Sequence, residues 1–166
     1  MKIIKPEVQI ENQDWDGILR RIEEKGRICY KSEDRITEAS AAGFVKSLIQ
    51  RGHLSALEHV SVSVKFTVDR GVSHEIVRHR LGSYSQESTR YCNYGGDEIS
   101  FVEPFHFLAS CSKWIAWDWI CDNAEQAYKA LLELGASPQE ARTVFARHSE
   151  NRAMGDVQPP GVAAFL

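Results

Sequence analysis

The sequence predicts an α+β fold, with an antiparallel or mixed sheet and flanking helices in a single domain. Three observations lead there. Val60, Val62, Val64, Phe66 and Val68 alternate with Ser61, Ser63, Lys65, Thr67 and Asp69, the period of a strand with one buried face. Stretches with helical spacing lie on both sides of it. No G-x-G-x-x-G, P-loop or G-x-S-x-G pattern occurs, nor any internal repeat or linker, which excludes Rossmann and α/β-hydrolase architectures. At 166 residues the chain is long enough for one domain with its own core.

The elements follow in chain order. Met1 to Ile10 reads as a short strand or edge segment interrupted at Pro6. Asp14 or Asp16 caps a helix reaching about Tyr30, with Ile18, Leu19, Ile22 and Ile28 on its apolar face. A second helix opens at Thr37, carries Ala41, Phe44, Val45, Leu48 and Ile49 as its stripe, and stops at Gly52. After the alternating strand, Asp69 caps a helix from Gly71 to about Arg80, ended by Gly82, so that Glu75, Arg78 and His79 share one face. Ser83 to Tyr94 is polar and aromatic and reads as a binding loop. A short strand, Ile99–Val102, precedes an aromatic-rich helix from about Ser110 to Leu134, ended by Gly135. Ser137-Pro138-Gln139-Glu140 starts another helix, with Ser at the cap and Pro in the first turn.

Net charge is −3, so bulk electrostatics do not draw the chain to nucleic acid or to acidic membranes, and any anion site must arise from local clustering. No apolar run has transmembrane length, and charges interrupt the N-terminal apolar residues, which is unlike a signal peptide. A cytoplasmic protein is expected. Cys29, Cys92, Cys111 and Cys121 include no C-x-x-C pair, and the six histidines include no H-x-x-x-H or H-E-x-x-H, so no metal site is expected. Cys29 and Cys121 sit among apolar residues and read as core.

The densest chemistry lies in Arg78-His79-Arg80, seven residues, Ser88, one residue, Arg90. A generic Arg-His-Arg triplet is a solvated basic turn. Here it is joined within a dozen residues by a serine and another arginine, and several hydrogen-bond donors fall in one short stretch. That suits an anion, most simply a phosphate held by guanidinium forks.

Taken in order, His53-x-Ser55-x-x-Glu58-His59, the strand, Arg78-His79-Arg80 with Ser88 and Arg90, and Gln139-Glu140-Ala141-Arg142-x-Val144 resemble the flavin-dependent thymidylate synthases, the ThyX family. The resemblance covers roughly residues 1–144. It implies a homotetramer of α+β subunits with active sites shared between subunits. It implies FAD as cofactor, dUMP as substrate, and methylenetetrahydrofolate and NADPH as co-substrates in making dTMP. It places His53, Ser55, Glu58, Arg78, His79, Arg80 and Gln86 at flavin-contacting positions. Glu75, Arg78, Gln86, Glu87, Ser88, Arg90 and Arg142 fall at nucleotide-contacting positions. The flavin would carry the hydride chemistry and the protein its orientation and charge. The alternatives from other classes are a phosphate- or nucleic-acid-binding module using the Arg-His-Arg loop, and a non-catalytic subunit that keeps the fold.

The chain departs from the family where Ser85-Gln86 replaces a frequent Asn-Glu, Glu75 a common Gln, and Ala56 a frequent Pro. After Val144 the family pattern of Leu-Pro, a threonine-rich strand and an Asn-Leu-Arg-Glu-Trp-like helix is not seen. A back-translation of Phe145 onward, shifted by one base, reads LPDTLKTE and can continue to CSLREWRHF. Residues 1–144 are therefore expected to form the ThyX-like domain, and 145–166 a poorly ordered tail created by a one-base insertion. No catalytic residue is assigned, because the family's activating arginine would fall beyond Leu166. Little turnover is expected of the chain as it stands.

Overall fold

The computed structural model describes residues 1–96, 98–109, 111–145 and 150–157, the last by backbone alone. The elements are β1 (Lys2–Ile4), β2 (Glu7–Ile10), α1 (Trp15–Ile28), α2 (Ser40–Gln50), β3 (Val62–Asp69), α3 (Arg70–Ile76), β4 (Gly82–Gln86), β5 (Ser100–Val102), α4 (Ser112–Glu133), α5 (Pro138–Ala141) and β6 (Glu150–Val157). Short 3-10 turns cover Glu33–Arg35, Leu54–His59 and Arg142–Val144. The chain is mixed α+β. One sheet has the order β2-β3-β6-β4, and β1 pairs with β5 in parallel, Ile3 opposite Phe101.

Two compact units emerge. The first holds Met1–Gln9, Lys65–Arg78 and Tyr84–Met154; the second holds Ile10–Val64 and His79–Ser83, with described residues 155–157. The first unit's core is built on α4, whose Trp117, Cys121, Ala124 and Tyr128 pack with Ile99, Phe101 and Ala141. Residues 117, 121, 124 and 128 are spaced by four, three and four, one helical stripe. The capping box at Ser137 starts α5: the Ser137 hydroxyl takes the Glu140 amide, and the Glu140 carboxylate takes the Ser137 amide at 2.8 Å.

The second unit packs α1 on α2. Ile22, Val45 and Leu48 meet Ala56, Leu57 and Val60. The helices cross closely at Gly26, where an added Cβ would lie 2.7 Å from Phe44 Cε1 and 3.0 Å from Leu48 Cδ1. Asp14 caps α1 by accepting the Gly17 amide at 2.9 Å. Buried between the helices, Glu23 accepts Arg27 Nε at 3.0 Å and Nη2 at 2.8 Å on one oxygen, and the Ser40 hydroxyl at 2.9 Å on the other.

Several local expectations change. Ile28 and Ile49 are about half exposed, because the stripe of α1 runs through Ile22, Glu23 and Gly26 and that of α2 through Ala41, Val45 and Leu48. Cys29 is exposed just past α1, whereas Cys121 is buried. The second helix begins at Ser40, not Thr37, since the Ser40 hydroxyl accepts the Thr37 amide at 2.8 Å and holds 37–39 as a turn. Ser83–Gln86 belongs to a strand rather than a loop, with Gly82 opening it.

Candidate functional site

The Arg-His-Arg motif is displayed by a short helix that stops early. Asp69 caps α3, its Oδ1 accepting the amides of Gly71 at 2.7 Å and Val72 at 3.0 Å. The helix ends at Ile76, four residues before the expected end, so Arg78 and His79 lie beyond it and do not extend the face of Glu75. Arg78 and Glu75 still approach to 3.8 Å, both more than 70% exposed. A pair so open to water contributes little to stability.

Within the first unit, Gln86 at the end of β4 and the loop after it are tied back to α3. The Gln86 amide donates to the fully buried Ser73 hydroxyl at 2.7 Å, and that hydroxyl donates to the Arg70 carbonyl at 3.1 Å. Glu87 accepts a short hydrogen bond from the Tyr94 hydroxyl, and burial followed by this carboxylate pushes the Tyr94 pKa well above the tyrosine range. The Ser88 hydroxyl accepts the Arg90 amide at 3.3 Å, shaping the turn that carries Arg90 into solvent.

The centre of this arrangement is a residue that the sequence reading did not single out. Thr89 is 4% exposed, and its hydroxyl receives Arg70 Nη1 at 3.2 Å and Arg142 Nη1 at 3.3 Å. Two half-buried guanidinium groups, from residues 72 positions apart in sequence, thus converge on one neutral oxygen. Among the described residues neither has a carboxylate within 4 Å. Adjacent cations of this kind repel each other, and their four remaining donors each are suited to a doubly charged oxyanion. Gln86 is thus tied to α3 through Ser73, and Thr89, with Arg142 on its hydroxyl, through Arg70. For Arg70, its position next to the capping Asp69 was the only signal in the sequence.

The second unit contains His53, Ser55, Glu58, His79 and Arg80. His53 and Ser55 line a cavity of about 400 Å3 with Gly26, Tyr30, Leu48 and Ala56. The Tyr30 hydroxyl hydrogen-bonds His53 Nδ1, and the two rings stack with an interplanar angle of 19°. An apolar floor, a stacked aromatic pair and a hydroxyl at the rim fit the planar ring of a flavin. Glu58 is exposed on the 3-10 turn and is not part of that lining. Arg78 falls in the first unit. No cluster of three potential metal ligands occurs among the described residues. Nor is any helix there long and apolar enough to cross a membrane.

Two arginines converging on a buried threonine, on a mixed α+β scaffold whose sequence lacks Rossmann and P-loop patterns, define an anion-ready site. The chain belongs to the thymidylate synthase complementing protein family, which it matches over residues 13–154. It is 30% identical over 133 residues to a flavin-dependent thymidylate synthase of Geobacter sulfurreducens, covering 76% of this chain and 57% of the relative. It is 32% identical over 165 residues to one of Mycobacterium sp. strain JLS, covering 94% of this chain and 64% of the relative. The chain thus spans about three fifths of the length of these relatives. Its fold is similar to that of the UMP/dUMP methylase PolB from Streptomyces cacaoi bound with 5-Br dUMP, with a TM-score of 0.76 at 19% identity. That similarity covers all of this chain and 79% of the other.

Proposed function

We propose that the chain is a subunit of a flavin-dependent thymidylate synthase, which methylates dUMP reductively to dTMP with methylenetetrahydrofolate as carbon donor and NADPH as reductant. The observation that carries this reading is the convergence of Arg70 and Arg142 on Thr89 with no carboxylate partner among the described residues. A nucleotide phosphate supplies the missing negative charge. Arg70, Arg90 and Arg142 would neutralise it, and Ser88 and the backbone near Gln86 would donate to it. Arg78 and Glu75 would border the same nucleotide. FAD, when bound, supplies the hydride chemistry. His53, Ser55, Glu58, Arg78, His79, Arg80 and Gln86 would position it, with His53 and Ser55 on the walls of the Tyr30 cavity. The reading as a nucleic-acid module is less favoured, because net charge is −3 and the family match is to nucleotide-modifying enzymes.

Assembly into a homotetramer is part of the proposal. It is supported by α4, which leaves Ile115 at 58% and Trp119 at 66% exposure, more apolar surface than a lone subunit favours. A cytoplasmic location fits the same chemistry. The origin of 145–166 in a one-base insertion is also proposed; residues 146–149 and 158–166 lie outside the described residues, and the family match runs to residue 154. Resequencing across codon 144 tests it, and an unaltered frame overturns it.

The test of function is flavin and nucleotide binding by the purified chain. Flavin absorbance should be present, and Arg78→Ala should release FAD on ultrafiltration. A lost charge-assisted contact costs about 1.5–3 kcal/mol, on the order of a ten- to hundredfold loss of affinity. Unchanged flavin content in the variant would sink the assignment.

A further inference from the structure

The second unit holds a cavity that the nucleotide and flavin assignments leave unused. It has a volume of about 380 Å3 and is lined by four cations, Arg27, Lys31, Arg35 and Arg51, against one carboxylate, Asp34. Arg27 is already neutralised by Glu23. Among the described residues, Lys31, Arg35 and Arg51 have no carboxylate within 4 Å. The C-terminal ends of α1 and α2 each contribute roughly half a negative charge, so helix ends and Asp34 together leave the set cationic.

Two of the guanidiniums are organised in advance. The Arg27 guanidinium lies 4.2 Å from the centre of the Phe44 ring. That of Arg51 lies 5.9 Å from the Tyr30 ring centre, while its Nη2 donates to the Ser47 hydroxyl at 2.6 Å. Guanidiniums fixed by cation–π contacts and hydrogen bonds lose little freedom on meeting an anion. Lys31 has φ +45°, the sole non-glycine residue at positive φ among those described. Such backbone is costly for a side-chain-bearing residue and recurs at ligand clamps. Tyr30 is common to this cavity and to the one containing His53 and Ser55.

We propose that the cavity of Lys31, Arg35 and Arg51 is an anion subsite. It would take the phosphate or carboxylate end of a co-substrate whose ring end lies on the other side of Tyr30. The inference rests on the proposed function, which supplies two sources of that chemistry: the 2′-phosphate of NADPH and the glutamate carboxylates of the folate donor.

Calorimetry on the FAD-loaded full chain distinguishes them, with NADPH against NADH and tetrahydrofolate monoglutamate against triglutamate. In one pair the more anionic member should bind at least fivefold tighter. Lys31→Gly combined with Arg35→Gln should abolish that difference without changing flavin content. Glycine accepts the left-handed backbone, and Arg35 is exposed, so the fold should survive. Arg35→Gln alone should show a partial loss. A preference in neither pair, or one that persists in the double variant, overturns the proposal. Failure of the wild-type chain to bind FAD would instead strike the flavin reading. Inorganic tripolyphosphate then becomes the probe: binding lost in the double variant upholds the anion subsite, and equal or no binding overturns it.

Discussion

Replacing Arg142 by glutamine separates a binding residue from a structural one. In the free protein, Arg70 Nη1 and Arg142 Nη1 lie 3.2 and 3.3 Å from the same Thr89 oxygen. Two unit charges about 6 Å apart repel by about 3 kcal/mol at an effective dielectric of about 20. Both side chains are only half buried, so solvent reduces that to about 1 kcal/mol. The variant gives up one long hydrogen bond, worth about 0.5–1.5 kcal/mol. The two effects offset each other, and unfolding stability should stay within about 1 kcal/mol of wild type. Nucleotide binding has no such offset. Loss of a charge-assisted phosphate contact of about 1.5–3 kcal/mol should weaken dUMP on the order of ten- to hundredfold. Urea unfolding and calorimetry with dUMP measure the two quantities. A variant destabilised by more than about 2 kcal/mol with unchanged dUMP affinity would refute the reasoning and make the Arg70–Thr89–Arg142 cluster a structural tie.

Three further outcomes follow from packing and burial. Glu23→Ala should lower unfolding stability by about 3–5 kcal/mol, because it leaves the largely buried Arg27 guanidinium without its carboxylate; Glu23→Gln, which keeps one acceptor oxygen for Arg27 but not the charge or the second acceptor, should cost less in the same urea titration. Gly26→Ala should cost about 1–3 kcal/mol by forcing α1 away from Phe44 and Leu48, read as a lower melting temperature. Burial raises the Cys121 thiol from 9.0 to about 12. A thiol whose folded pKa is raised contributes its full stability below the unfolded value and loses it as pH rises to the folded one. Stability should therefore decline between pH 9 and 12, and Cys121→Ala should flatten that decline, while exposed Cys29 alkylates readily in the native state and Cys121 only after unfolding.

Elements set by local chemistry were legible from the residues. The alternation in Val62–Asp69, the Asp14 and Asp69 caps and the Ser137–Glu140 box each depend on neighbours a few positions apart, and each is present. The end of α3 was not legible, because Val77 to Arg80 are acceptable helix residues and only tertiary context turns the chain there. Strand β4 was hidden for a related reason. Its sequence Gly-Ser-Tyr-Ser-Gln lacks apolar alternation, and its neighbour in the sheet, β6, comes from more than sixty residues later. At the site, the arginines and Ser88 stood out by charge and spacing. Thr89 did not, since a threonine beside a serine in a polar stretch gives no hint that it is buried, and Arg70 lies twenty residues before Arg90 with no motif joining them.

The parallel pairing of β1 with β5 has a consequence for the order in which the chain folds during synthesis. Ile3 finds Phe101 only after about a hundred residues have been made. Between them lies the segment carrying α1, α2 and the 3-10 turn that packs on them, whose contacts are short in sequence. Local contacts close quickly and distant pairings slowly. As the chain leaves the ribosome, the helical pair around Glu23 can therefore consolidate while β1 still lacks its neighbour. A pulse of protease on stalled nascent chains should find residues 14–60 protected well before residues 1–5.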